Sequence, residues 1–177
     1  MKEVNKKLRL LVTAECHNNC PLCCNKQFDV LKISVVEDFS QYEEIIITGG
    51  EPMLFRHNVY LLLQELQVRT KKNCKFYLYT AKDKWLYSML LEFLDGVTYT
   101  PHTTSDIIDF IHTNENLLKY PRLNSKHISL RLNLFKEVKN KLPKDIDLSL
   151  WTIKELTWLK DCPIPEGEDF RRIENLW

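Results

Sequence analysis

Short runs of branched and apolar residues alternate along this chain with longer stretches of helical periodicity, and that alternation restricts the fold more than any other feature. Residues 7–14 (KLRLLVTA) and 43–48 (EEIIIT) read as two buried strands that stop at polar or glycine signals. In 57–69, Val59, Leu62, Leu63 and Leu66 recur at the spacing of one helical face. Residues 74–80 (CKFYLYT) make a third strand, and 82–94 a second amphipathic helix carrying Leu86, Met89, Leu90, Phe93 and Leu94. Gly96 is then expected in the left-handed conformation just past that helix. The rhythm continues with strand 97–102, helix 105–119, strand 128–135, a short helix 136–142 stopped by Pro143, and strand 146–151. Thr152 with Glu155 three residues later reads as a capping box opening a final helix with Leu156 and Leu159. Six β/α units of roughly 30 residues imply an α/β fold with a parallel sheet and outer, right-handed helical crossovers. A closed eight-stranded barrel needs ~250 residues and is excluded for 177. One domain over 1–177 is expected, with 161–177 a polar C-terminal tail that covers the open side or binds a partner.

The formal net charge is +1, which gives no electrostatic reason to expect nucleic acid or a membrane surface. No apolar run approaches the ~18 residues of a membrane span, and residues 1–7 lack the pattern of a secretory signal. The expected location is the cytoplasm, and there the six cysteines are not expected to form a disulfide framework. Four of them crowd between positions 16 and 24, which suits ligation of a metal or cofactor. Cys16, Cys20 and Cys23 form a C-x3-C-x2-C triplet, Cys-His-Asn-Asn-Cys-Pro-Leu-Cys, on the long connection that follows the first strand. Three thiolates on one loop can hold three corners of a [4Fe–4S] cubane and leave one iron open. The alternative is a structural zinc site completed by His17 or Cys24, although no second cysteine knuckle is present.

Glycine is scarce. Only four occur where average usage of roughly 7% would place about twelve, yet Gly49 and Gly50 are adjacent, inside Ile47-Thr48-Gly49-Gly50-Glu51-Pro52. At the end of the second strand, paired glycines let a ligand approach the backbone, and Glu51 offers a carboxylate suited to an ammonium group. The competing reading is an ordinary strand-to-helix turn with an acidic residue near a helix start.

With the CHNNCPLC triplet, the TGGEP string and the six-unit order, the chain resembles the radical S-adenosylmethionine (radical SAM) superfamily, as a minimal single-domain member. The resemblance implies a partial (β/α)6 barrel. It also implies a [4Fe–4S] cluster on Cys16, Cys20 and Cys23, and S-adenosyl-L-methionine chelated to the open iron and held by Gly49, Gly50 and Glu51. An external electron donor of flavodoxin or ferredoxin type reduces the cluster in that family. The cofactor then yields a 5′-deoxyadenosyl radical that takes a hydrogen atom from a small-molecule, peptide or protein substrate. The residue before the last cysteine is usually aromatic there and touches adenine. Here it is Leu22, which still offers an apolar contact.

Further candidates lie at strand ends. Thr80 and His102 end strands three and four and could touch cofactor or substrate, although such residues often cap helices or form turns. Ser129, Arg131 and Asn133 share one face of strand five, opposite Leu130, Leu132 and Leu134, so the polar set is expected to face the interior. An interior arginine needs a partner, which gives Arg131 and Asn133 a cofactor-binding role. Trp151 would line the cavity or pack in the core. Cys24 reads as a bystander, and Cys74 and Cys162 as remote from the cluster. No residue is singled out as catalytic, and the substrate is not named. The alternatives are a glycyl-radical enzyme activase acting on a protein partner, similar to that of anaerobic ribonucleotide reductase, and a non-catalytic zinc or iron–sulfur module.

Overall fold

A computed structural model describes residues 7–82, 92–119 and 128–177. The chain is α/β. Its strands are β1 (Lys7–Thr13), β2 (Glu44–Gly49), β3 (Lys75–Thr80), β4 (Gly96–Tyr99), β5 (Ser129–Phe135), β6 (Thr152–Leu156) and β7 (Glu168–Arg172). The described helices are α1 (Arg56–Arg69), α2 (Thr104–Leu118) and the single turn α3 (Lys136–Lys139). Two compact units result, one of residues 1–77 with 159–177 and one of 78–158, with the boundary inside β3.

In the first unit the strand order is β3-β2-β1-β7, and β1 pairs in parallel with both β2 and β7. Strand β1 buries residues on both faces: Leu8, Leu10, Leu11 and Val12 are all sealed from solvent, as a parallel strand covered on both sides requires. Helix α1 contributes the four apolar residues its periodicity predicts, Val59, Leu62, Leu63 and Leu66. Each such side chain adds about 1.5–3 kcal/mol when fully buried.

In the second unit the order is β6-β5-β4-β3, with β4–β5 and β5–β6 parallel. Strand β5 alternates as its sequence demands: Leu130, Leu132 and Leu134 are buried. Helix α2 opens on a full capping box, in which Thr103 accepts from the Asp106 amide and Asp106 accepts from the Thr103 amide. Ile107, Phe135 and Val138 form a small core on which Leu156 and Trp158 pack.

Four expectations are corrected. Residues 146–151 are turns, because Asp147 accepts from the Ser149 amide at 2.9 Å and the Trp151 amide closes on the Leu148 carbonyl at 2.9 Å. The sixth strand lies one segment later, at Thr152–Leu156, on the residues whose Thr-x-x-Glu spacing suggested a helix. The tail contains β7, whose acidic side chains have partners in place: Arg9 Nε donates to Glu168 at 2.7 Å, and the Tyr42 hydroxyl donates to Asp169 at 2.6 Å. Gly96 opens β4, extended and paired with Ser129, so it is no left-handed cap. The helix expected over 82–94 falls largely outside the described residues.

Candidate functional site

Strand β1 ends where Thr13 turns its hydroxyl to its own surroundings. It donates to the main-chain oxygen of Trp177 at 2.7 Å and accepts from the Glu15 amide at 3.1 Å. The cysteine segment follows directly. Cys16 is exposed, Cys20 and Cys23 are partly buried, and none of the three is in a disulfide. The Asn18 amide points at Cys16 Sγ, 3.4 Å away, and Lys26 Nζ bonds Asn19 Oδ1 across the loop. Cys23 precedes a 3-10 turn, Cys24–Lys26. Asn25 in that turn holds a buried side-chain nitrogen with no hydrogen-bond partner among the described residues. A donor so placed costs stability unless an acceptor reaches it.

The fourth cysteine of the cluster is committed elsewhere. Cys24 is joined to Cys162 in a disulfide with a Cα–Cα distance of 5.5 Å, well inside the range such bonds span. One pair is therefore bonded where no disulfide framework was expected, and this corrects the reading of Cys24 as a bystander. The two positions are 138 apart in sequence, and nothing in their spacing announces the contact.

The glycine segment is built against the start of the same loop. The Gly50 amide donates to the Thr13 carbonyl at 2.7 Å, and the Glu51 amide donates to the Glu15 carbonyl at 2.7 Å. Gly49 has φ +146°, a conformation that favours glycine, and a Cβ there would stand 2.4 Å from the Thr13 oxygen. A Cβ on Gly50 would stand 1.9 Å from the Glu15 oxygen. The close approach these glycines permit is therefore that of the chain's own residues 13–15. Glu51 is 2% exposed, and its Oε1 accepts from the Met53 amide at 3.0 Å, capping the 3-10 turn Pro52–Phe55 that feeds α1. Both readings of the segment meet here: it is a turn and cap, and it sets a buried carboxylate beside the root of the cysteine loop.

Leu22 sits in the turn before Cys23, partly exposed. The remaining candidates belong to the second unit, each with local partners. Thr80 is a turn former, its Oγ1 donating to the Lys82 carbonyl at 2.8 Å and accepting from the Lys82 amide at 3.0 Å. The His102 ring lies in an aromatic stack, 5.5 Å from Phe135 and 5.6 Å from Trp158, and its amide donates to Asp106 at 2.9 Å. Asn133 donates to the Thr100 hydroxyl at 3.2 Å. Arg131 is exposed, so the interior arginine expected from strand periodicity is not one. Trp151 is a core residue, packed on Tyr99 and Phe110, with its indole N–H on Asn114 Oδ1 at 2.8 Å.

No protein-family model and no curated protein matches this chain. The site rests on its own chemistry. Among the described residues no three histidine, cysteine or acidic side chains are gathered closely enough to hold a metal ion. The donor set nonetheless suits an iron–sulfur cubane: three thiols on one accessible loop, the neighbouring Cys24 withdrawn, and a buried orphan donor on Asn25. Glu15, Asn25 and Gln27 enter the site without any sequence signal, since they act through a carbonyl, an orphaned amide and a backbone clamp.

Proposed function

We propose that the chain is a radical SAM enzyme in which Cys16, Cys20 and Cys23 hold a [4Fe–4S] cluster and Gly49, Gly50 and Glu51 hold S-adenosyl-L-methionine. One observation carries this reading. The root of the cysteine loop and the glycine–glutamate segment, distant in sequence, are bonded to each other through Glu15 and Glu51 at 2.7 Å. The two parts of one cofactor site need that adjacency. When bound, the cluster and S-adenosylmethionine together supply a 5′-deoxyadenosyl radical that removes a hydrogen atom from an unreactive C–H bond.

The chain's own residues do the rest. The three thiols would be the cluster's ligands. Cys24, held in its disulfide, would stay out of that ligand set. The buried Glu51 carboxylate would bind the ammonium group of the methionyl moiety and would keep the capping bond from the Met53 amide. The order is sequential from β1 to β3 in the first unit and from β3 to β6 in the second, which supports the proposed partial (β/α)6 barrel, while β7 on the outer side of β1 is a seventh strand beyond those six. The reading also proposes a cytoplasmic setting, an electron donor of flavodoxin or ferredoxin type, and a small-molecule, peptide or protein substrate.

Anaerobic reconstitution with iron and sulfide, followed by dithionite and S-adenosylmethionine, tests the assignment. The protein is expected to turn brown and release 5′-deoxyadenosine. Cys20→Ala should lose both. Glu51→Gln, which keeps the capping oxygen, should retain the cluster and weaken cofactor binding about tenfold or more, the worth of a charge-assisted bond. A colourless protein that retains zinc, or a brown one that never cleaves the cofactor, overturns the reading.

A further inference from the structure

The segment after the three candidate ligands is fastened to the region before β7 by a disulfide and by hydrogen bonds of Gln27. The disulfide is Cys24–Cys162. The hydrogen bonds are made by one side chain: Gln27 Nε2 donates to the Lys160 carbonyl at 3.0 Å, and the Cys162 amide donates to Gln27 Oε1 at 3.2 Å. The amide of Gln27 thus reads the backbone on both sides of position 161. The covalent link is accessible, because Cys24 is exposed and Cys162 only partly buried. Beyond Cys162 the chain is secured independently, by parallel pairing of β7 with β1, by the Arg9–Glu168 ion pair and by Phe28 against Phe170 with ring centroids 5.5 Å apart.

We propose that Cys24–Cys162 is a redox site, a clasp opened by a dithiol reductant, which frees the ligand-bearing loop without dissolving the sheet beneath it. A reductant thiolate attacks the exposed Cys24 sulfur and breaks the Cys24–Cys162 bond, and Cys162 leaves and takes up a proton. The second thiol of the reductant then displaces Cys24, which is protonated in turn, and the reductant departs as its own disulfide. Two electrons and two protons enter the protein. Afterwards the two hydrogen bonds of Gln27 still join the loop to residues 160–162, without the covalent link, while β7 stays on β1. The inference does not depend on the cofactor assignment, since it concerns two cysteines outside the ligand triplet.

The full chain, purified without reductant, is denatured in chelator and alkylated with N-ethylmaleimide. Intact mass should show four adducts, on Cys16, Cys20, Cys23 and Cys74, and six after dithiothreitol. Six adducts before reduction, or a peptide map that joins any other pair, overturns the proposal. Hydrogen exchange on the native protein then reads the consequence. With dithiothreitol, residues 16–27 and 159–164 should exchange about tenfold faster, with β1 and β7 unchanged. Unchanged exchange in the loop, or lost protection throughout β1 and β7, overturns the clasp. Cys24→Ser and Cys162→Ser, without reductant, should each reproduce the reduced pattern, and the reduced wild-type protein carries the test if either variant fails to fold.

Discussion

Gly50 is the position where a single methyl group meets the least forgiving neighbour. The Glu15 carbonyl stands 1.9 Å from the place a Cβ would occupy, and it belongs to backbone that also accepts the Glu51 amide. Gly50→Ala should therefore cost about 3 kcal/mol, at the upper end of overpacking penalties, measured as a fall in the urea midpoint. Gly167→Ala, which meets nothing within 4 Å but has φ +81°, should cost only about 1 kcal/mol. Tyr42 offers a pH test. Burial first, then its bond to Asp169, raises the phenol well above its ordinary value of 10. The folded state keeps a proton that the unfolded state releases, so this contribution is complete below pH 10 and is lost as the pH rises beyond it. Tyr42→Phe should be about 1–2 kcal/mol less stable at neutral pH. It should lose less stability than the wild type between about pH 9 and 11, followed by urea titration. At this scale the sequence located the glycine pair and Glu51 but not what they touch. A glycine pair announces a close approach, and only the fold tells that residues 13–15 make it.

Among the elements, the end of the second unit was the least legible. IDLSLW alternates like a strand, yet the Asp147 side chain captures the Ser149 amide and closes a turn before a ladder can form. TIKEL carries a helix-capping spacing, yet Thr152 and Ile153 are β-branched and the segment pairs with β5. Its exposure on both faces erased the alternation that identifies a strand. Conversely α1, α2 and β5 were readable because each buries one periodic face. The turn at 146–151 is tied to α2 by Asn114, 1% exposed, which accepts from the Trp151 indole at 2.8 Å and donates to the Asp147 carbonyl at 2.8 Å. Asn114→Ala leaves the buried Trp151 indole donor without its partner and should cost about 1–3 kcal/mol in denaturant unfolding. In the Asn114→Ala/Trp151→Phe double variant the added loss should be smaller than the sum of the single losses, because the orphaned indole donor is gone.

At the scale of the whole molecule, the first unit is discontinuous, made of the chain's beginning and a segment that returns after the second unit. A run of charged residues, Glu-Asp-Phe-Arg-Arg, gave no hint of this, since its partners on β1 and at Tyr42 lie far back in sequence. A chain ended after Gly167 should lose β1 amide protection in hydrogen exchange and bind the dye ANS, because Leu8 and Leu10 would then lie along an open strand edge. The same pairing sets a schedule for synthesis. Arg9 and Glu168 stand 159 positions apart. At roughly 5–20 residues per second the ribosome needs on the order of 10–30 seconds between making one and the other. For all of that time β1 has been made but has no outer neighbour, so this chain should depend on chaperones more while it is being translated than after it is released.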